Sequence, residues 1–156
     1  MRALEDILIA LNKLNVSAPD ESQPESVPDD TQAFREEVLR LVNAARAKEG
    51  LQALRLSGKL TQAAQIRAEE LPESFSHTRP DGRPCFSVLS QVGAGYMATG
   101  ENIAAGQSDP ADVMNSWMNS AGHRANILSP NYGALGVGIC KASGGYGVYW
   151  TQLFTD

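Results

Sequence analysis

Apolar positions in the first fifteen residues fall at Leu4, Ile7, Leu8, Leu11 and Leu14, a three-and-four spacing that draws one stripe along a helix of about four turns. Glu5 and Asp6 interrupt that stripe almost at once, so residues 1–15 read as a short amphipathic helix rather than an export leader. Such a helix is expected to pack on its own domain or on a second copy of the chain. Residues 16–30 have no period at all. A helical stripe returns with Phe34, Val38, Leu41, Val42 and Ala45 and ends at Gly50. Ser57 is placed to cap a second helix whose face carries Leu60, Ala63, Ala64, Arg67, Ala68 and Leu71, with Pro72 as its stop. Residues 73–84 read as loop, and a short turn of helix is expected around Phe86–Val92. Asp109 and Pro110 open a further helix carrying Val113 and Trp117, and a last short helix is expected over His123–Leu128. The period then changes to two: Leu135, Val137 and Ile139 alternate with Gly136, Gly138 and Cys140. Val148, Trp150, Gln152 and Phe154 follow beyond Ser143-Gly144-Gly145, which predicts two strands joined by a glycine turn. Helices first and strands late imply an α+β fold, a small antiparallel sheet covered by helices.

The 156 residues, 42% hydrophobic and 20% charged, suit one domain with something to spare. No stretch reaches the roughly 18 apolar residues of a membrane helix. The net charge of -5 is unevenly placed. Residues 1–15 carry two acids and two cations, and residues 31–156 carry eleven of each. Residues 16–30 carry five acids, three prolines and no cation, so this acidic segment holds the whole net charge and reads as a solvated tether. No block of Lys or Arg is present to neutralise phosphates, which argues against nucleic acid as a partner.

Several chemistries are excluded by inspection. There is no Gly-x-x-x-x-Gly-Lys phosphate loop, no His-Glu-x-x-His, no Cys-x-x-Cys and no Gly-x-Ser-x-Gly elbow. The chain has two histidines, His77 and His123, each in a polar, loop-like context. His77 belongs to Ser76-His77-Thr78-Arg79-Pro80-Asp81-Gly82. Further on come Gly100-Glu101-Asn102-Ile103-Ala104 and then Gly122-His123-Arg124-Ala125-Asn126-Ile127-Leu128. A lone histidine is more often structural than functional, but loops are where a scaffold presents chemistry.

In this order, and with the closing Gly136-Val137-Gly138 and Tyr149-Trp150-Thr151-Gln152-Leu153-Phe154, these motifs resemble the domain shared by cysteine-rich secretory proteins, antigen 5 and pathogenesis-related 1 proteins, in its bacterial form. The resemblance covers residues 34–154 and implies a three-layer α-β-α sandwich for residues 31–156, as well as an extracellular or cell-envelope location. It also implies a central cleft lined by His77, Glu101 and His123, which in some members of the family binds a divalent metal. The second cleft glutamate of animal and plant members is missing, with Asn119 or Ser120 in its place, which weakens any mechanism needing paired carboxylates.

Two imidazoles and one carboxylate are the three protein ligands of an open zinc site with a bound water. His77, His123 and Glu101 are therefore candidate ligands for Zn2+ or another divalent cation, with Glu101 alternatively a brace for the loops or a base toward bound water. Asn102, Ser120, Arg124 and Asn126 neighbour them in sequence and are candidate cleft residues. Tyr132, Tyr149 and Trp150 are candidate core or cleft-rim aromatics. Cys85 and Cys140 either pair, closing a loop of about 56 residues worth about 4 kcal/mol in the chain-entropy model, or stay free thiols. Family activities range from lipid and sterol binding to proteolysis. The expected function is thus an exported binding module for a lipid or cell-envelope ligand, and the alternative is a metal-dependent peptidase or esterase using His77, Glu101 and His123. No organic cofactor is expected.

Overall fold

The computed structural model describes residues 30–156. The helix expected in residues 1–15 and the tether as far as Asp29 lie outside the described residues. Asp30, read from sequence as the last tether residue, is the first residue of helix α1 (Asp30–Lys48). Gly50, in the left-handed region at φ 69°, turns the chain away from α1 as expected.

The remaining elements are β1 (Arg55–Leu56), α2 (Gly58–Glu70), α3 (Ser87–Gln91), β2 (Thr99–Ala105), α4 (Pro110–Met118), α5 (Ala121–Ile127), β3 (Ala134–Lys141) and β4 (Val148–Thr155). The caps fall where the sequence put them. Ser57 accepts from Leu60 N, and Asp109 accepts from Asp112 N with Pro110 opening the helix. The sheet is mixed rather than wholly antiparallel, in the order β1-β3-β4-β2, with β1 parallel to β3. β1 and β2 were not expected as strands. β1 is two residues long, too short for any period to show, and β2 reads Gly-Glu-Asn-Ile-Ala-Ala, buried on both faces and hence without alternation.

Alternation along β2, β3 and β4 divides the layers. Leu135, Val137, Ile139, Trp150, Phe154 and Ala104 face α1, α4 and α5, where Val38, Val42, Val113, Trp117 and Ile127 complete the larger core. Ala134 and Leu153 face α2 and α3, packing on Leu60, Ala63, Ala64, Val88 and Leu89. The result is the three-layer α-β-α sandwich. Beyond the short β1, the free edge of β3 is closed by side chains. Arg35 donates to Val137 O (3.0 Å), and Gln65 bonds both the carbonyl (2.9 Å) and the N–H (3.0 Å) of Ile139. Arg46, fully buried, donates to Gln52 O, Ile127 O and Ser129 O, binding the end of α1 to the end of α5.

Candidate functional site

β2 is an edge strand, and its alternation sends Glu101 and Asn102 to opposite faces of the sheet. Each becomes the centre of a buried polar cluster.

On the α2 side, Glu101 meets Arg67. The guanidinium is fully buried and donates Nε to Oε2 at 2.8 Å and Nη2 to Oε1 at 3.1 Å, a two-point pair that suits its planar fork. Nη2 also donates to Ser76 O at 2.6 Å, which fastens the strand leading to His77. His77 Nδ1 lies 2.8 Å from Glu101 Oε1, while its side chain stays half exposed. Burial on its own would raise the Glu101 pKa. The bonds from His77 and Arg67 outweigh it and hold the carboxyl below its ordinary value, so Glu101 is an anion with both oxygens engaged. Nδ1 therefore serves as the donor, which leaves Nε2 as the ring's other nitrogen.

The loop carrying His77 is built by its own sequence. Pro80, Asp81 and Gly82 make a turn in which Gly82 takes φ 89°, its N–H donates to Arg79 O (2.9 Å), and Asp81 Oδ1 accepts from Arg83 N (3.0 Å). The two arms then pair: Thr78 bridges Pro84, and Cys85 N donates to His77 O at 2.9 Å. Arg79 pins the turn from inside. It donates Nε to both Glu70 oxygens (2.9 and 3.0 Å), Nη1 to Ser87 Oγ and Nη2 to Gln91 Oε1 (both 3.0 Å). Closing the hairpin lays Cys85 beside His77. One donor atom each from His77, Cys85 and Glu101 lie within 4.8 Å of one another, a group that can hold a metal ion.

On the other side, Asn102 is fully buried and donates to His123 O (3.1 Å) and Gln152 Oε1 (3.0 Å), while Asn126 donates to Asn102 Oδ1 (2.9 Å) and Glu101 O (3.3 Å). These bonds fix α5 to β2 and set the position of His123, which is buried on that helix. The bond from Asn102 fixes the backbone of His123, whose side chain is not among the donors of the His77, Cys85 and Glu101 group. Of the other candidates, Ser120 starts α5 without a side-chain capping bond and Arg124 is exposed. Trp150 belongs to the core, bonding Gln107 O (2.9 Å) and stacking on Phe34, and Tyr132 stacks on Phe154. Tyr149 is buried between Phe75 and Tyr146.

Cys85 and Cys140 are both free thiols, so the bridge left open by the sequence is not formed. Burial pushes the Cys85 thiol up to about 12, with the Glu101 charge adding to the rise, and burial likewise raises Cys140. Sequence reasoning passes over Arg67 and Arg79 as site residues and considers Cys85 only as a partner for Cys140. A signal existed for Arg67: a cation on an otherwise apolar helix face must find a buried partner.

The whole constellation lies in a region with clear relatives. Residues 39–154 match the cysteine-rich secretory protein family, CAP. The uncharacterized protein YkwD of Bacillus subtilis (strain 168) is 37% identical over 131 residues, which is 83% of this chain and 49% of YkwD. A crystal structure of an extracellular protein containing an SCP domain from Bacillus anthracis superposes with a TM-score of 0.77 at 27% identity, covering 89% of this chain and 45% of that one. The chain thus spans about half the length of these relatives. The crystal structure of NaASP2 with Zn2+ shares the fold, at a TM-score of 0.56 and 15% identity over 88% of this chain and 83% of that one. With the motifs, the sandwich and the family match in agreement, this chain belongs to the cysteine-rich secretory protein (CAP) family.

Proposed function

We propose that this domain is an exported binding module whose polar cleft, bounded by His77, Glu101 and His123, takes a lipid or another cell-envelope ligand, with a divalent metal able to join at His77. The observation that carries this reading is the state of Glu101. Both of its oxygens are engaged by Arg67 and His77. A general base is best matched when its pKa lies near the working pH, whereas this carboxylate is held below its ordinary value inside a buried ion pair, with three of about four lone-pair sites taken. It is therefore a brace that holds the His77 ring, and binding is favoured over the hydrolytic alternative.

An amphipathic ligand is supported by an aromatic cluster on the same face of the sheet as Glu101. Phe75, two residues before His77, packs against Tyr149, and Tyr149 meets the exposed Tyr146 edge-on. Rings that share a sheet face with a polar group suit a molecule with an apolar body and a polar end. Among the described residues no helix is long and apolar enough to cross a membrane. Export rests on the family and on the extracellular relative. Residues 1–15 and 16–30 are read as a helix and an acidic tether that set the domain at a distance from whatever the helix contacts.

Two measurements test the reading. Co-sedimentation with phosphatidylglycerol–phosphatidylethanolamine vesicles should show saturable binding that weakens at least about tenfold, or about 1.4 kcal/mol, in a His77→Ala, His123→Ala double variant. Equal binding by parent and variant overturns the assignment of the cleft. A panel of peptides and esters with zinc present should show no turnover, whereas turnover that Glu101→Gln abolishes would establish the hydrolase instead.

A further inference from the structure

We propose that Met97 is an oxidation site: its thioether takes one oxygen atom from a peroxide-class oxidant ahead of every other sulfur among the described residues, and the sulfoxide changes the polarity of one end of the domain while the fold stays intact. The inference is independent of the cleft and of whatever ligand the cleft takes.

The surroundings of the sulfur atoms rank them. Met97 is 92% exposed, whereas Met114 is 6% exposed in the larger core and Met118 is partly buried against the same core. Met1 lies outside the described residues. A thioether has no proton to lose, so access decides the order among these methionines. The cysteines are set back in a different way. Cys85 is buried and Cys140 half buried, and burial raises both thiols, Cys85 to about 12. At neutral pH each keeps its proton and lacks the thiolate on which cysteine oxidation depends.

A clamp holds Met97 outward. At the end of the sheet where β2 begins and β4 stops, Asp156 Oδ1 accepts from Met97 N (2.7 Å) and Ala98 N (3.0 Å), and Asp156 N donates to Ala98 O (3.3 Å). The start of the same loop is tied to α3 by Ala94 N donating to Leu89 O (2.9 Å) and to α2 by Lys59 Nζ donating to Gly93 O (3.1 Å). On the loop's side all of these bonds are made by main chain. The Met97 side chain belongs to none of the core clusters, so a sulfoxide there disturbs neither the clamp nor the packing.

The surface is what changes. Tyr96, Met97 and Tyr146 are the exposed large hydrophobics among the described residues, and the first two stand side by side on this loop. Oxidation turns the most exposed of them into a polar, chiral group that a reductase can restore. The step balances as an oxygen transfer. A sulfur lone pair attacks one peroxide oxygen, the O–O bond breaks, and the departing oxygen leaves as water once protonated. The sulfur is oxidised by two electrons and the peroxide is reduced by two.

Dilute hydrogen peroxide on the full chain, followed by peptide mapping, tests the site. Met97 should gain one oxygen at least about tenfold faster than Met114, and ahead of Met118, while Cys85 and Cys140 remain reduced. When Met97 is converted and Met114 and Met118 are not, the melting temperature should stay within about 2 °C of the untreated protein. Retention on a hydrophobic-interaction column should fall by more than it does in peroxide-treated Met97→Leu, and the two epimer-specific methionine sulfoxide reductases should restore it. Oxidation of Met114, Met118 or either thiol as early as Met97, a larger fall in melting temperature, a retention change no greater than that of Met97→Leu, or a sulfoxide the reductases cannot repair overturns the proposal.

Discussion

Gly138 sits in the middle of β3 on the face that α2 covers, and its missing side chain is what lets the helix come so close. A methyl group there would overlap the carbonyl carbon and oxygen of Ala64 and lie 2.6 Å from Gln65 N, where ordinary contact begins near 3.4 Å. Backbone cannot swing aside as a flexible side chain does, so in Gly138→Ala α2 must retreat by about 1 Å or more. A gap of roughly that size forfeits a quarter to a half of the dispersion attraction along the seam. Overpacking of this kind costs about 1–3 kcal/mol or more, and the reduced freedom of the unfolded chain returns about 0.4–1 kcal/mol. The expected net loss is about 2 kcal/mol, a melting temperature lower by roughly 6–8 °C for a domain of this size. Gly144→Ala, with no atom within 4 Å and no left-handed backbone, is the matched control and should stay within about 0.5 kcal/mol. Calorimetry on both variants checks the reasoning. If Gly138→Ala melts within about 2 °C of the parent, close helix-to-sheet packing is not what the glycine provides.

Acid should act through Glu101. Its folded carboxyl lies below the ordinary 4.5, so the stability it contributes is present above that pH and is lost as pH falls through the folded value; urea midpoints should drop between neutral pH and about 3, and Glu101→Gln should flatten this limb. Asn102→Ala strips partners from His123 O, Gln152 and Asn126 in a buried setting, and denaturant unfolding should register about 2–3 kcal/mol, with a change under 0.5 kcal/mol counting against the network. Thiol titration should find Cys140, half buried, reacting before Cys85, which is buried and raised to about 12. Equal rates in native protein would contradict the burial assigned to Cys85, and intact mass should be unchanged by reductant.

What the sequence disclosed and what it withheld separate along a physical line. Helices α2 and α4 announced themselves because their caps are local: Ser57 and Asp109 bond N–H groups three residues away. The hairpin of β3 and β4 announced itself through period two. By contrast, β1 exists only because Arg55 and Leu56 lie against Ala134 and Leu135, nearly eighty residues on, and nothing local marks it. The candidate site divides in the same way. His77 and Glu101 stood out through their motifs, and the structure brings them to 2.8 Å. Arg67 was legible only as an oddity on an apolar face, because its partner lies 34 positions away.

Cys85 was weighed solely against Cys140, since cysteines invite pairing, yet its nearest chemistry was eight residues behind it. The turn that makes them neighbours was readable in Pro80-Asp81-Gly82, but a turn shows only that the chain reverses. The register across it, Thr78 against Pro84, decides that Cys85 rather than Pro84 or Phe86 stands opposite His77. A shift of one residue would reverse which way the thiol points. Arg79 matters for this reason: by holding Glu70, Ser87 and Gln91 together it fixes that register from within the loop, and with it the donor set on which any metal chemistry at His77 depends.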